Sequence, residues 1–308
     1  DWENTGSRVK FATTFGPVAV LAIWDKIYES DATRQATTTT NVQDGDNDGY
    51  NLAFVYAGKG MEAGVLLQHK VVNSSRPGGV RQRTYLADPY MKATFGPVYV
   101  EAEVMYITGK AAEYGDGVAG TDISAEALGG YLKVKTNLGP AYIGALAAYI
   151  QGDDLSDSSK KKGGLRNAKN LNPALILLGD AYLTDIFPGN NANDSTMFSS
   201  KKNFSAGLMM YNIFAGFNPT PKLNLEVGFT SASFDQTARV GQVKAGNAYV
   251  SKNLGMELDV TATYKIYDNL TYMIAAGYLM TGDAFKADNN SYTIGNDYLL
   301  MNRLALSF

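Results

Sequence analysis

The chain has 308 residues, 20 tyrosines, 32 glycines and a net charge of −3, with a mean hydropathy of −0.17. It has no cysteine, which excludes disulfides, thiolate metal sites and covalent haem attachment, and its small negative charge gives no bulk attraction to nucleic acid. No run of about 18 apolar residues exists, so helical membrane spans are excluded as well.

What the chain does contain is period-2 alternation, the mark of a strand with one apolar and one polar face. Val9, Phe11, Thr13 and Phe15 alternate with Arg8, Lys10, Ala12 and Thr14, and Gly16-Pro17 turns the chain. Residues 18–29 return, with an open facing because Asp25 shares a parity with Leu21 and Ile23. After a polar segment at 31–49, Tyr50, Leu52, Phe54 and Tyr56 form one face of a third strand. Beyond 58–60, Ala63, Val65, Leu67 and Val71 stand opposite Glu62, Gly64, Gln68 and Lys70. The fifth strand sets Tyr85, Ala87, Met91 and Phe95 against Thr84, Asp88, Lys92 and Thr94, with Pro89 as a blemish because proline removes a ladder hydrogen bond.

Gly96-Pro97 leads into Val98, Val100, Ala102, Val104 and Tyr106, opposite Tyr99, Glu101 and Glu103. The seventh strand carries Leu128, Leu132 and Val134 against Tyr131, Lys133 and Lys135, and turns at 138–140 into an eighth at 141–151. Segment 152–201 is polar but encloses an apolar stretch at 173–187. Strands at 203–217 and 222–234 follow, the latter with Leu223, Leu225, Val227 and Phe229 against Lys222, Asn224, Glu226 and Thr230. The clearest hairpin is 255–281. Met256, Leu258, Val260, Ala262, Tyr264 and Ile266 oppose Glu257, Asp259, Thr261, Thr263 and Lys265 before a turn at 267–269. The thirteenth strand places Tyr298, Leu300, Leu304, Leu306 and Phe308 against Met301, Arg303, Ala305 and Ser307.

The connections alternate between tight ones at 16–17, 58–60, 96–97, 138–140, 218–221 and 267–269 and long ones at 31–49, 73–82, 109–124, 152–201, 237–252 and 282–292. Arms this long can cross a bilayer as tilted strands, which takes about 9–11 residues. Short turns at one end and long loops at the other belong to a transmembrane, antiparallel, up-and-down β-barrel of the outer membrane. Residues 1–308 are therefore expected to form an all-β barrel wall of about thirteen strands, with 152–201 as a long extracellular loop able to fold inward as a constriction.

The ending Tyr298…Leu304-Ala305-Leu306-Ser307-Phe308 resembles the C-terminal strand signature of bacterial outer-membrane proteins. The stretch from Glu257 to Leu270, with Gly277-Tyr-Leu-Met-Thr-Gly-Asp, resembles porin-like barrels of Geobacter-type deltaproteobacteria, which are similar to the alginate-export-type channel family. The resemblance implies a passive or weakly selective channel of about sixteen strands and carries over no substrate. Strand parity adds an expectation. Both termini of a single-chain barrel lie in the periplasm, so an odd strand count calls for an upstream segment with an odd number of strands, three by the resemblance, to complete the wall.

On the face expected to line the lumen we place Arg8, Lys10, Lys70, Lys92, Lys133, Lys135, Lys265 and Arg303, with Glu62, Asp88, Glu101, Glu103, Glu126, Glu226, Glu257 and Asp259. Such charge density is costly against lipid and natural against water. The charges either tune a conducting pore or pair across the wall as structural ladders, and their near balance argues against strong selectivity. Asp44, Asp46 and Asp48 resemble the first half of a calcium loop, but Val55 stands where its last ligand would be, leaving at most a Ca2+ bridge in an extracellular loop. His69, the only histidine, shares its parity with Leu67 and Val71 and reads as an interfacial aromatic rather than a catalytic base. Lys160-Lys161-Lys162 reads as a solvated cluster, and Gly58-x-Gly60 as a turn.

The expected function is passive diffusion of small hydrophilic solutes or ions through a charged lumen, with no enzymatic activity and no cofactor. The expected surroundings are outer-membrane lipid and lipopolysaccharide, with homo-oligomerisation left open. Two alternatives stand beside it. A polysaccharide exporter would need a predominantly basic lumen; a sheath for a periplasmic electron-transfer partner would conduct few ions.

Overall fold

The computed structural model describes residues 7–29, 45–73, 80–115, 119–154, 156–163, 173–177, 207–236, 239–240, 247–248, 251–286 and 294–307. Its strands are β1 (Ser7–Phe15), β2 (Val18–Tyr28), β3 (Asn47–Gly58), β4 (Met61–Val72), β5 (Arg81–Phe95), β6 (Val98–Glu113), β7 (Ile123–Leu138), β8 (Ala141–Ile150), β9 (Lys160–Lys161) and β10 (Leu208–Thr220). They continue with β11 (Leu223–Ser233), β12 (Arg239–Val240), β13 (Asn247–Ala248), β14 (Asn253–Tyr267), β15 (Leu270–Thr281) and β16 (Asp297–Leu306). All but β9, β12 and β13 form one antiparallel sheet in which each strand pairs with the long strands before and after it in the chain. These are the thirteen strands the alternation foretold, in up-and-down order. The two-residue β9 adds in parallel beside β7, and β12 pairs with β13.

Six two-residue turns close one end of the sheet, at 16–17, 59–60, 96–97, 139–140, 221–222 and 268–269. In three of them a glycine precedes a proline, and Gly16, Gly96 and Gly139 adopt φ of 57°, 59° and 66°. That left-handed backbone is what a tight hairpin asks of its first turn residue, and only glycine adopts it without strain. The expected turn at 218–221 is shorter than the sequence suggested, because β10 continues through Asn218 and Pro219 across an irregularity between Phe217 and Thr220. Pro89 stays in β5. Its pairing with Val65 of β4 is kept, while the ladder toward β6 passes from Ala87–Tyr106 directly to Tyr90–Glu103.

The register fixes both faces. On β14, Met256, Leu258 and Val260 are 45%, 44% and 52% exposed, whereas Glu257 and Asp259 are 0% and 5% exposed. A water-soluble sheet does the reverse, because exposed apolar area costs about 25 cal/mol per Å². The outward set continues around the sheet through Val9, Trp24, Leu52, Leu67, Tyr106, Leu132, Ile143, Ile213, Val227, Ile274 and Leu300. An apolar outer face with charges inside is the pattern of a transmembrane β-barrel wall.

One facing that the sequence left open is settled, and one expectation is corrected. Asp25 of β2 stands opposite Arg8 on the inner face, so Leu21 and Ile23 also face inward. Glu126 stands in the row of Thr108 and Tyr85, which is the outer face, so it does not belong with the inward charges. Nor is the inner face polar throughout. Toward the long-loop end it carries two apolar clusters, one around Ile107, Ile123 and Ala127, the other around Leu146, Leu208, Met210, Ala232 and Leu279.

Candidate functional site

Register places all fifteen remaining charged residues on the inner face. Glu62 of β4, Lys92 of β5, Glu101 of β6 and Lys133 of β7 are direct cross-strand partners in one row, alternating in sign. Such a row invites ion pairing. Among the described residues it makes no salt bridge, whereas Arg8 and Asp25 on the same face do.

Tyrosines take the carboxylates instead. Glu101 accepts hydrogen bonds from the hydroxyls of Tyr99 and Tyr131, both at 2.8 Å. Tyr90 donates to Glu62 at 3.0 Å and Tyr142 to Glu226 at 2.6 Å. Two of the lysines lie by rings: Lys135 lies 3.8 Å above the ring centroid of Tyr142 and Lys133 lies 5.8 Å from that of Phe214. Cation–π contact of this kind holds an ammonium without neutralising it. The inner charges Lys10, Lys70, Asp88, Glu103 and Arg303 complete the set, Asp88 with one buried oxygen lacking a hydrogen-bond partner.

Glycines keep these rings against the wall. A Cβ on Gly64 would fall 2.6 Å from the ring of Tyr90, one on Gly144 2.3 Å from that of Phe214, and one on Gly216 2.0 Å from that of Tyr142. Each ring therefore lies over a glycine of the neighbouring strand and leaves the interior clear. Gly216→Val should lift Tyr142, break its bond to Glu226 and cost about 1–3 kcal/mol by overpacking. Urea unfolding in lipid vesicles checks this; an unchanged midpoint would mean that the ring does not depend on the glycine.

The long-loop end is built differently. Residues 173–177, from the segment expected to fold inward, lie on the inner face. Ala174, Ile176 and Leu177 are buried in the cluster of Leu146, Met210, Ala232 and Leu279. The amides of Ile176 and Leu177 donate to the two oxygens of Glu257 at 2.7 and 2.6 Å. Asp259, one row along β14, is buried beside it, and neither of its oxygens has a partner in hydrogen-bonding geometry, although the Leu175 amide lies near. The rest of the apolar stretch, 178–187, lies outside the described residues, as do most of 152–201 and Phe308.

At the outer rim, Trp24, Tyr50, His69 and Tyr85 share one outward row. The His69 imidazole stacks on Tyr85 with centroids 4.4 Å apart and on Tyr50 at 6.0 Å, an aromatic role as its parity indicated. Asp44 lies outside the described residues. Asp46 and Asp48 hold the Lys26 ammonium, Asp48 at 3.6 Å, so a cationic side chain already sits between them. The lysine run is more ordered than a solvated cluster, since Lys160 pairs with Glu126 at 3.0 Å and Lys161 with Asp153. In the β6–β7 loop, the Tyr114 amide and the Lys110 ammonium hold the Asp122 carboxyl below the usual carboxylate range.

No family model matches the chain, and no curated protein does. Among solved structures it is similar to a BenF-like porin from Pseudomonas fluorescens Pf-5, with 11% identity over 97% of this chain and 67% of that one, at a TM-score of 0.43. It is similar to Pseudomonas aeruginosa OccK5 with 10% identity over 97% and 70%, at 0.42. It is also similar to the NanC porin with 11% identity over 85% and 94%, at 0.37. At these levels the likenesses add nothing to what the strand pairing and the two faces establish.

Proposed function

We propose that the chain is the wall of an outer-membrane porin-like channel that passes small hydrophilic solutes or ions passively. One observation carries this reading: in the aligned inner row of Glu62, Lys92, Glu101 and Lys133, charges of opposite sign form no salt bridge with one another among the described residues. Glu62 and Glu101 accept tyrosine hydroxyls while Lys92 and Lys133 make no ion pair within 4.0 Å among the described residues. Charges left so are stable only beside water, and a water-filled charged lumen conducts. With Glu126 on the outer face and Asp25 added to the inner one, the inner signs remain balanced, which supports weak selectivity over the strongly basic lumen that a polyanion exporter needs.

In this reading the long connections face the exterior, 173–177 narrows the lumen at that end, and the fifteen inner charges line the path. The row of Trp24, Tyr50, His69 and Tyr85 meets the membrane interface, with Lys26 and its carboxylates at the level of lipid headgroups. Cysteine substitution tests the facing. Single cysteines at 133 and 135 should react with a small charged thiol reagent in the intact membrane, and those at 132 and 134 should not. The opposite pattern would shift the register by one residue and turn the wall inside out.

A further inference from the structure

We propose that Glu257 and Asp259 bind a divalent hard cation of the Ca2+ class beneath residues 173–177. Its effect on flow would rest on the channel reading; the binding itself does not.

The pair sits where two carboxylates are hardest to leave alone. Glu257 is fully buried and Asp259 is 5% exposed. Across the sheet, Glu257 faces Thr230 and Leu279, and Asp259 faces Gly228 and Gly277, so no lysine or arginine stands opposite either. The Thr230 hydroxyl oxygen accepts from the Asn212 amide at 2.9 Å. Glu226, two positions from Gly228 on the same face, adds a further negative charge rather than a positive one. The two amide hydrogen bonds from Ile176 and Leu177 account for one lone pair on each Glu257 oxygen and leave the others open. Neither Asp259 oxygen has a partner in hydrogen-bonding geometry, the Leu175 amide and the Glu257 carboxyl being the polar groups beside it.

Both carboxyl groups also point at the same small space. A Cβ built on Gly277 would lie 2.8 Å from Asp259 Oδ1 and 3.2 Å from Glu257 Oε1, with Ile176 Cδ1 at 3.4 Å. Gly277 thus leaves clear the gap that the two acids share. A buried, unpaired charge is too costly to persist without compensation, and two carboxylates match one divalent ion in charge. Ca2+ accepts irregular oxygen coordination with carboxylates, backbone carbonyls and water. Among the described residues no third acidic or histidine ligand joins the pair, so carbonyls and water would complete the shell. The ion would then tie β14 to the inward segment, as Glu257 does through its two amides.

Calcium binding to the folded protein in detergent tests this directly, by equilibrium dialysis with radioactive Ca2+. Wild type should retain one ion per chain more than Asp259→Asn, which keeps the Glu257 bonds and the side-chain shape. Gly277→Ala keeps both carboxylates but places a methyl group between them, and should weaken that site by about tenfold or more. Folding is confirmed by the heat-dependent gel shift of an intact barrel; should Asp259→Asn fail to fold, Gly277→Ala decides. Equal calcium in folded wild type and a folded variant, as expected if a proton alone satisfies Asp259, would overturn the proposal. Conductance plays no part in this readout, so its outcome stands apart from that of the channel reading.

Discussion

Replacing Glu257 with alanine is expected to free residues 173–177 and raise unitary conductance to that of a chain from which they are deleted. Glu257 holds the segment through two amides, at 2.7 and 2.6 Å. Burying Ile176 and Leu177 favours the inward position by about 1.5–3 kcal/mol each. Without the carboxylate, two buried amides lose their acceptor at about 1–3 kcal/mol each. The two quantities are comparable, so the anchor decides where the segment sits. Glu257→Gln should have a smaller effect, because its amide oxygen can still accept one of the two hydrogens. Single-channel recording in a planar bilayer measures this. Unchanged conductance from a folded Glu257→Ala protein would place the segment away from the conducting path.

Val260→Arg should cost about 2–4 kcal/mol and Thr261→Arg close to nothing, although the two are neighbours in sequence. Val260 lies midway along β14, 52% exposed on the outer face, between Val227 and Ala276. An arginine there meets hydrocarbon near the middle of the bilayer. Thr261 stands opposite Glu226 and Ala275 on the inner face, where an added guanidinium meets water and a carboxylate. Urea titration of protein refolded into vesicles gives both costs. Equal penalties would remove the distinction between the faces.

The strands were legible because each face imposes its own composition, and a one-residue slip would move every side chain across the wall. The β14–β15 hairpin keeps its alternation from Gly255–Thr281 to Lys265–Thr271, with one irregularity between Lys265 and Tyr267 before the turn. Alternation failed where the inner face is apolar. Leu21 and Ile23 line the inside of β2, so their parity could not locate Asp25. Glu126 was legible but misread, since its even number aligns it with Leu128 and Leu132 on the outer side.

The grip on the inner charges was hidden for a different reason. Tyr131 and Glu101 are 30 positions apart, Tyr142 and Glu226 84 apart, and Ile176 and Glu257 81 apart. Those partnerships depend on register and on which way each side chain leans, and strand alternation encodes neither. The clue lay in the inward tyrosines, which a wall built only of ion ladders has no use for, and in the glycines across from them. The apolar character of 173–187 called for cover but did not choose between the interior and the rim, and the attachment of 173–177 to Glu257 was not legible at all.

The most direct test of a water-filled, weakly selective lumen is conductance across a planar bilayer with a salt gradient. Folded protein should insert in discrete current steps, linear in voltage, with a reversal potential near zero because the inner charges balance. An inserted, heat-modifiable barrel that passes no current above the bare membrane would contradict it.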